Sequence, residues 1–198
     1  MKKGERRKFE LLQIAYKMFL TRGYENTSVD EIIEAAGIAK GTFYYYFKSK
    51  EQLLEEVIGM MIEEEEQQAR LMLHSDQPIP QKIMAIMAAF RPTQDEQTIG
   101  DALNQFENIL MHEKINRKII DTIIPILAEV VEAGVQEGIF CCDHIPERLR
   151  IILIVSNGLF DEHSHYSKDD ITVFVDLIEK MLGAKKGTME FVKELIRY

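Results

Sequence analysis

The chain has 198 residues, 46% of them apolar and 29% charged, with a formal net charge of −9. This is the composition of an ordinary globular protein with a full hydrophobic core, and it excludes collagen-like and disordered classes. No apolar run reaches the ~18–20 residues of a membrane span, so no membrane partner is expected. The basic start, MKKGERRKFELL, lacks the uncharged apolar stretch of a secretory signal. The two cysteines, Cys141 and Cys142, are neighbours, so they cannot staple the fold. A reducing, cytoplasmic setting is expected.

The charge is unevenly spread. Residues 1–50 carry ten Lys and Arg against six Asp and Glu, a net of +4, whereas residues 51–198 carry fourteen against twenty-seven, a net of −13. A basic head on an acidic body points to a polyanion partner at one end.

In chain order, Leu11, Ile14, Ala15, Met18 and Phe19 recur at helical spacing over residues 7–20, and Gly23 ends that helix. Ser28 and Glu31 have the spacing of a capping box. Ile32, Ile33 and Ala36 continue the apolar face until Gly37. A short third helix fits residues 40–46. Ser49 and Gln52 offer a second capping box at the start of a long helix running towards Leu73. The run from Glu63 to Glu66 reads as a solvated face of that helix.

SDQPIP, residues 75–80, is a proline-punctuated break. Three helical stretches follow, KIMAIMAAF, IGDALNQFENILM and IIDTIIPILAEVVEAG, with Pro125 expected to kink the last. GIFCCDHIP, residues 138–146, reads as a loop. Residues 148–160 are apolar nearly all round and should be buried on more than one side. Ile171, Phe174, Val175, Ile178 and Leu182 form a clean stripe, and a last short helix fits 189–196. The fold class is all-α with about nine or ten helices.

The helix, glycine turn and helix over residues 29–46 have the form of a helix-turn-helix. In such a unit the N-terminal residues of the second helix meet base edges in the major groove. Here these are Lys40, Gly41 and Thr42. Lys40 can donate to guanine or phosphate, Thr42 offers a hydroxyl and a methyl, and Gly41 lets the backbone approach closely. The row FYYYF, Phe43 to Phe47, sorts by helix angle. Phe43 and Phe47 point inward, Tyr44 and Tyr45 point out, and Tyr46 lies on the boundary. Lys48 and Lys50 open the next helix, where they can hold phosphates.

The run FLTRGYENTSVDEIIEAAGIAKGTFYYYFKSKEQLL, residues 19–54, resembles the DNA-binding segment of the TetR family of bacterial transcriptional regulators. Its most specific part is KGTFYYYFKSKEQL. The resemblance covers about a quarter of the chain, and the acidic remainder is similar only in length and helical character. It implies base contacts from Lys40, Gly41, Thr42 and Tyr44, and backbone contacts from Thr27 or Ser28, Tyr45, Tyr46 and Lys50. Two departures stand out. Ala39 replaces the capping Ser or Thr common in the family, and Ile33 replaces a small Ala.

On that resemblance, residues 1–50 form a three-helix helix-turn-helix domain, and residues 51–198 a helical effector-binding and dimerisation domain. The expected protein is a homodimeric repressor on a roughly palindromic double-stranded DNA operator, released by an unidentified small-molecule effector. Dimerisation is expected through helices near 147–163 and 169–182. Met-rich walls adapt to varied ligands, and Met60, Met61, Met84, Met87, Phe90, Phe106 and Met111 are the candidate effector lining. The alternative is a sensor or interaction protein whose head grips a protein partner.

Other chemistry is poorly supported. No nucleophile–base pair, phosphate loop or cofactor motif stands out, so neither an enzyme nor a cofactor is expected. Cys141, Cys142, Asp143 and His144 carry the side chains of a soft-metal or redox site, but adjacent cysteines lack zinc-ligand spacing, and an inter-helix loop is the reading adopted. Asp161, His163 and His165 read as an exposed turn.

Overall fold

The structure is a computed structural model that describes residues 3–91, 93, 96, 99, 109–160 and 164–196. The described residues form nine α-helices and no strand: α1 (Lys3–Arg22), α2 (Val29–Ala36), α3 (Lys40–Tyr46), α4 (Lys50–Leu73), α5 (Ile79–Ala89), α6 (Ile109–Gln136), α7 (Ile145–Leu159), α8 (Lys168–Leu182) and α9 (Val192–Ile196). The all-α expectation holds. No helix among the described residues is long and apolar enough to cross a membrane.

The chain divides into two compact units. One comprises Met1–Glu64 and Pro92–Arg117, the other Glu65–Arg91 and Lys118–Tyr198. Helices α4 and α6 each supply residues to both.

In the first unit, α1, α2 and α3 gather around Leu11, Ala15, Phe19, Ile32, Phe43 and Phe47, all fully buried. Leu53, Leu54 and Val57 of α4, also fully buried, complete this core. Burying a Phe or Leu side chain is worth about 1.5–3 kcal/mol, so this cluster is what fixes the short α3. The ends are set by local chemistry. Ser28 and Glu31 form the expected reciprocal capping box, with the Glu31 amide donating to Ser28 Oγ at 3.2 Å and the Ser28 amide donating to Glu31 Oε2 at 2.8 Å. Gly37 closes α2 at φ +59°, the left-handed region that a Cβ disfavours. Arg7 of α1 reaches the same end and donates to the Ala36 carbonyl at 3.1 Å. The start of α4 departs from a full capping box. Ser49 Oγ accepts from the Gln52 backbone amide, but the Gln52 side-chain oxygen Oε1 takes the Lys48 amide rather than that of Ser49.

In the second unit, α8 presents Ile171, Phe174, Val175, Ile178 and Leu182 to the interior, as their spacing predicts. Ser167 and Asp170 cap it with a second complete box. Helix α6 already starts at Ile109, ahead of the expected stretch, and runs on through Pro125, which lies on its exposed side. Helix α7 buries Leu149, Ile152 and Leu153, while Ile151, Ile154 and Val155 face outward and are exposed. The expected burial on more than one side is therefore not met within one chain.

Candidate nucleic-acid interface

The turn between α2 and α3 aims a seven-residue helix outward. Phe43 and Phe47, with ring centroids 5.7 Å apart, are fully buried and anchor it from beneath. Tyr44 is 47% and Tyr45 80% exposed, on the opposite side. Tyr46 is half-buried, its ring edge-on to Tyr45.

The N-terminal turn of α3 carries Lys40 and Gly41, both exposed, and half-buried Thr42. A Cβ placed on Gly41 would meet nothing within 4 Å, so the space above its backbone is open. Ala39 occupies the cap position with φ −76° and ψ 149° but supplies no side-chain bond, which forfeits about 1 kcal/mol. Lys40 Nζ bonds Asp30 Oδ1 at 3.0 Å. That hydrogen bond, and then the Asp30 charge, raise the Lys40 pKa.

At the other end of the head, Lys48 is exposed and Lys50 half-buried. The Lys50 ammonium lies 4.0 Å from the centre of the Tyr24 ring, an arrangement absent from the sequence reading. Tyr24 is itself buried against Phe19. The two members of the Thr27 or Ser28 alternative differ in exposure. Thr27 is fully buried and its hydroxyl donates to the Gly23 carbonyl at 2.8 Å, so it has no free face for DNA. Ser28, the other member of that pair, is exposed.

The candidate effector residues fall in both units. Met60, Met61 and Met111 are half-buried in the first; Met84 and Met87, half-buried, and buried Phe90 lie in the second. Phe106 lies outside the described residues. In the 138–144 loop, Arg148 donates to the Asp143 carbonyl, to Asp143 Oδ1 and to the Met181 carbonyl. Asp143 is thereby held by an arginine, which lowers its pKa, and partial burial raises that of Cys142. Among the described residues no three His, Cys, Asp or Glu are grouped for a metal ion. Asp161 and His163 lie outside the described residues.

Fold and site together define an all-helical protein with a helix-turn-helix head. Residues 11–57 match the model of the TetR family of bacterial regulatory proteins, and residues 91–181 match a tetracyclin repressor-like C-terminal domain. The chain belongs to the TetR family, whose members are DNA-binding transcriptional regulators rather than enzymes. Solved structures share the fold. A TetR regulator from Chloroflexus aurantiacus is 20% identical, with 98% of each chain covered and a TM-score of 0.58. A TetR/AcrR-family regulator from Thermobifida fusca is 20% identical over 89% of this chain and 97% of its own, with a TM-score of 0.51. E. coli NemR in its reduced form is 16% identical over 89% and 94%, with a TM-score of 0.52. No curated protein matches the sequence significantly.

Proposed function

We propose that this chain is a homodimeric repressor that binds a roughly palindromic operator and is released by a small-molecule effector. The observation that carries the reading is α3 itself. Two buried phenylalanines fix a helix whose outer side offers Lys40, an uncovered Gly41 backbone, Thr42, Tyr44 and Tyr45. Lys40, Gly41, Thr42 and Tyr44 are assigned to base edges, and Ser28, Tyr45, Tyr46, Lys48 and Lys50 to the phosphate backbone. Dimerisation is supported by the outward apolar stripes of α7 (Ile151, Ile154, Val155) and α8 (Val173, Leu177). A second copy would bury them in a four-helix arrangement. Two recognition helices would then stand about 34–36 Å apart in successive major grooves. Effector binding would favour a head spacing that no longer fits, which requires different effector affinity in the two states.

Selection of bound sequences from a random duplex pool tests this reading, followed by anisotropy binding at two salt concentrations. A palindromic enriched site with affinity falling steeply in salt is expected, because phosphate contacts release counterions. Salt-insensitive or absent DNA binding would favour a protein partner for the head instead.

A further inference from the structure

The Lys40–Asp30 pair is more than a surface salt bridge in an ordinary place. It lies at the tip of the recognition helix, with both side chains largely exposed at 63% and 75%. An acid on a surface meant for a polyanion repels phosphate, a cost that a contact to a base would offset. Asp30 stands in the first turn of α2, and Lys40 in the first residue of α3. The pair thus joins the two helices of the motif at the groove-facing end.

The pair presents a cation donor beside an anion acceptor, Nζ to Oδ1, 3.0 Å apart. A G·C pair presents the complementary pattern on its major-groove edge, guanine N7 and O6 accepting beside cytosine N4 donating. O6 and N4 are themselves joined by a base-pairing hydrogen bond, so they stand about 2.9 Å apart. The two patterns match in order and in spacing. We propose that Lys40 and Asp30 act as one reading unit for a single oriented G·C pair, Lys40 donating to guanine and Asp30 accepting from the cytosine amine. This rests on the DNA-binding reading above.

The alternatives fit worse for stated reasons. A reversed C·G pair sets the Asp30 carboxylate against guanine O6, acceptor against acceptor. An A·T pair in the guanine-first order sets Lys40 beside the adenine amine and Asp30 against thymine O4. The opposite order satisfies both groups once, but Lys40 then gains only O4, beside the thymine methyl, where guanine offers two acceptors. An ammonium has three protons, enough for N7, O6 and the Asp30 oxygen together. Asp30 is therefore a specificity-determining residue, acting chiefly by rejecting wrong pairs.

The test is sequence selection from a random duplex pool with the full-length wild type, Asp30→Ala, Lys40→Ala and the double variant. Thermal unfolding checks that each variant folds. The wild type should enrich half-sites with one strand-oriented G·C position. Asp30→Ala should keep the rest of the site and lose about five- to hundredfold discrimination at that position. The double variant should lose no more there than the worse single variant, since partners in one unit are not additive. If Asp30→Ala instead tightens binding to every sequence alike, with preference at each position intact, Asp30 merely screens Lys40 and the proposal is overturned. A wild-type protein that enriches no sequence would overturn the DNA-binding reading itself, and the proposal with it.

Discussion

The Lys50 ammonium lies 4.0 Å from the centre of the Tyr24 ring, the two residues coming from the start of α4 and from the α1–α2 connection. Tyr24 is held in place by burial, at 5% exposure, and by an edge-on contact with Phe19. Burial, then the charges of Glu51 and Glu25, push its pKa up, and the face of the neutral ring attracts the cation through its quadrupole. A lysine seated in this way spends less conformational entropy when it reaches a phosphate. Tyr24→Leu should weaken DNA binding about two- to fivefold, the worth of an exposed cation–π contact, whereas Tyr24→Phe should leave it unchanged. Lys50→Ala should weaken binding to all sequences and reduce the log–log salt slope by about one. Anisotropy titrations at several salt concentrations measure all three. A Tyr24→Leu protein with wild-type affinity would show that the ring does not help position Lys50.

Gly41 separates folding from function. Within a helix glycine is less stable than alanine by up to about 1 kcal/mol, and a Cβ there meets nothing in the free protein. Gly41→Ala should therefore raise resistance to urea by up to that amount. If the backbone at Gly41 approaches base edges, the same methyl should lower operator affinity at least tenfold, about 1.4 kcal/mol. A variant that gains stability and keeps full affinity would remove Gly41 from the interface.

Much of the head was legible because its signals are local. Ser28 and Glu31 lie three apart, Gly37 follows the last apolar residue of α2, and Phe43 and Phe47 share a face by helix angle alone. The misses have a common cause. Lys40 with Asp30, Lys50 with Tyr24, and Arg7 with Ala36 are contacts across 10, 26 and 29 residues, which no periodicity encodes. The start of α6 was hidden for another reason. Residues 112–118, HEKINRK, carry one apolar residue, Ile115, which is buried. Two solvated turns of helix with a single foothold show no apolar stripe, although no Gly or Pro interrupts them. Thr27 and Ser28 were left as alternatives because a buried threonine bonded to the carbonyl four residues back looks, in sequence, like the exposed serine beside it.

Two glycines in the left-handed region should respond differently to substitution. Gly37 has φ +59° with open space where a Cβ would go, while Gly183 has φ +63° with the Cys141 carbonyl in that position. Gly37→Ala should cost about 1–2 kcal/mol from backbone conformation alone. Gly183→Ala adds a collision with backbone at the point where the Cys141 amide donates to the Leu182 carbonyl, so it should cost clearly more. Denaturant unfolding of the two variants side by side gives the comparison. Equal losses would show that the 141–144 loop moves aside freely.

The two capping boxes make stability fall in acid. The Ser28 amide, then its hydroxyl, lowers the Glu31 pKa below the ordinary 4.5. Ser167 does the same for Asp170, below 3.8. A group whose folded pKa is depressed stabilises the fold above its unfolded pKa, and that contribution is lost as pH falls through the folded one. Stability should therefore decline from about pH 4.5 downward. Glu31→Gln with Asp170→Asn keeps an acceptor for each serine amide but removes both titrations. The double variant should show a shallower decline in urea midpoint between pH 5 and pH 3. A slope identical to wild type would mean that the boxes hold equally well when protonated.

The outward side of α7 and α8 gives the sharpest test of assembly. Ile151, Ile154 and Val155 lie three and four apart on α7, with Val173 and Leu177 four apart on α8, and the two helices pack together. Ile154 is 55% and Val173 66% exposed in the single chain, an apolar surface that water disfavours. Ile154→Glu would place a charge at the centre of a two-fold interface, where each copy meets its own mutation again. The variant should sediment as a monomer at micromolar concentration and keep its helical circular dichroism, because residue 154 faces away from the core of its own unit. Operator affinity should fall by far more than twofold, since one head alone loses the effective concentration of the second. A folded Ile154→Glu protein that remains dimeric would move the interface elsewhere and leave these stripes without their assigned partner.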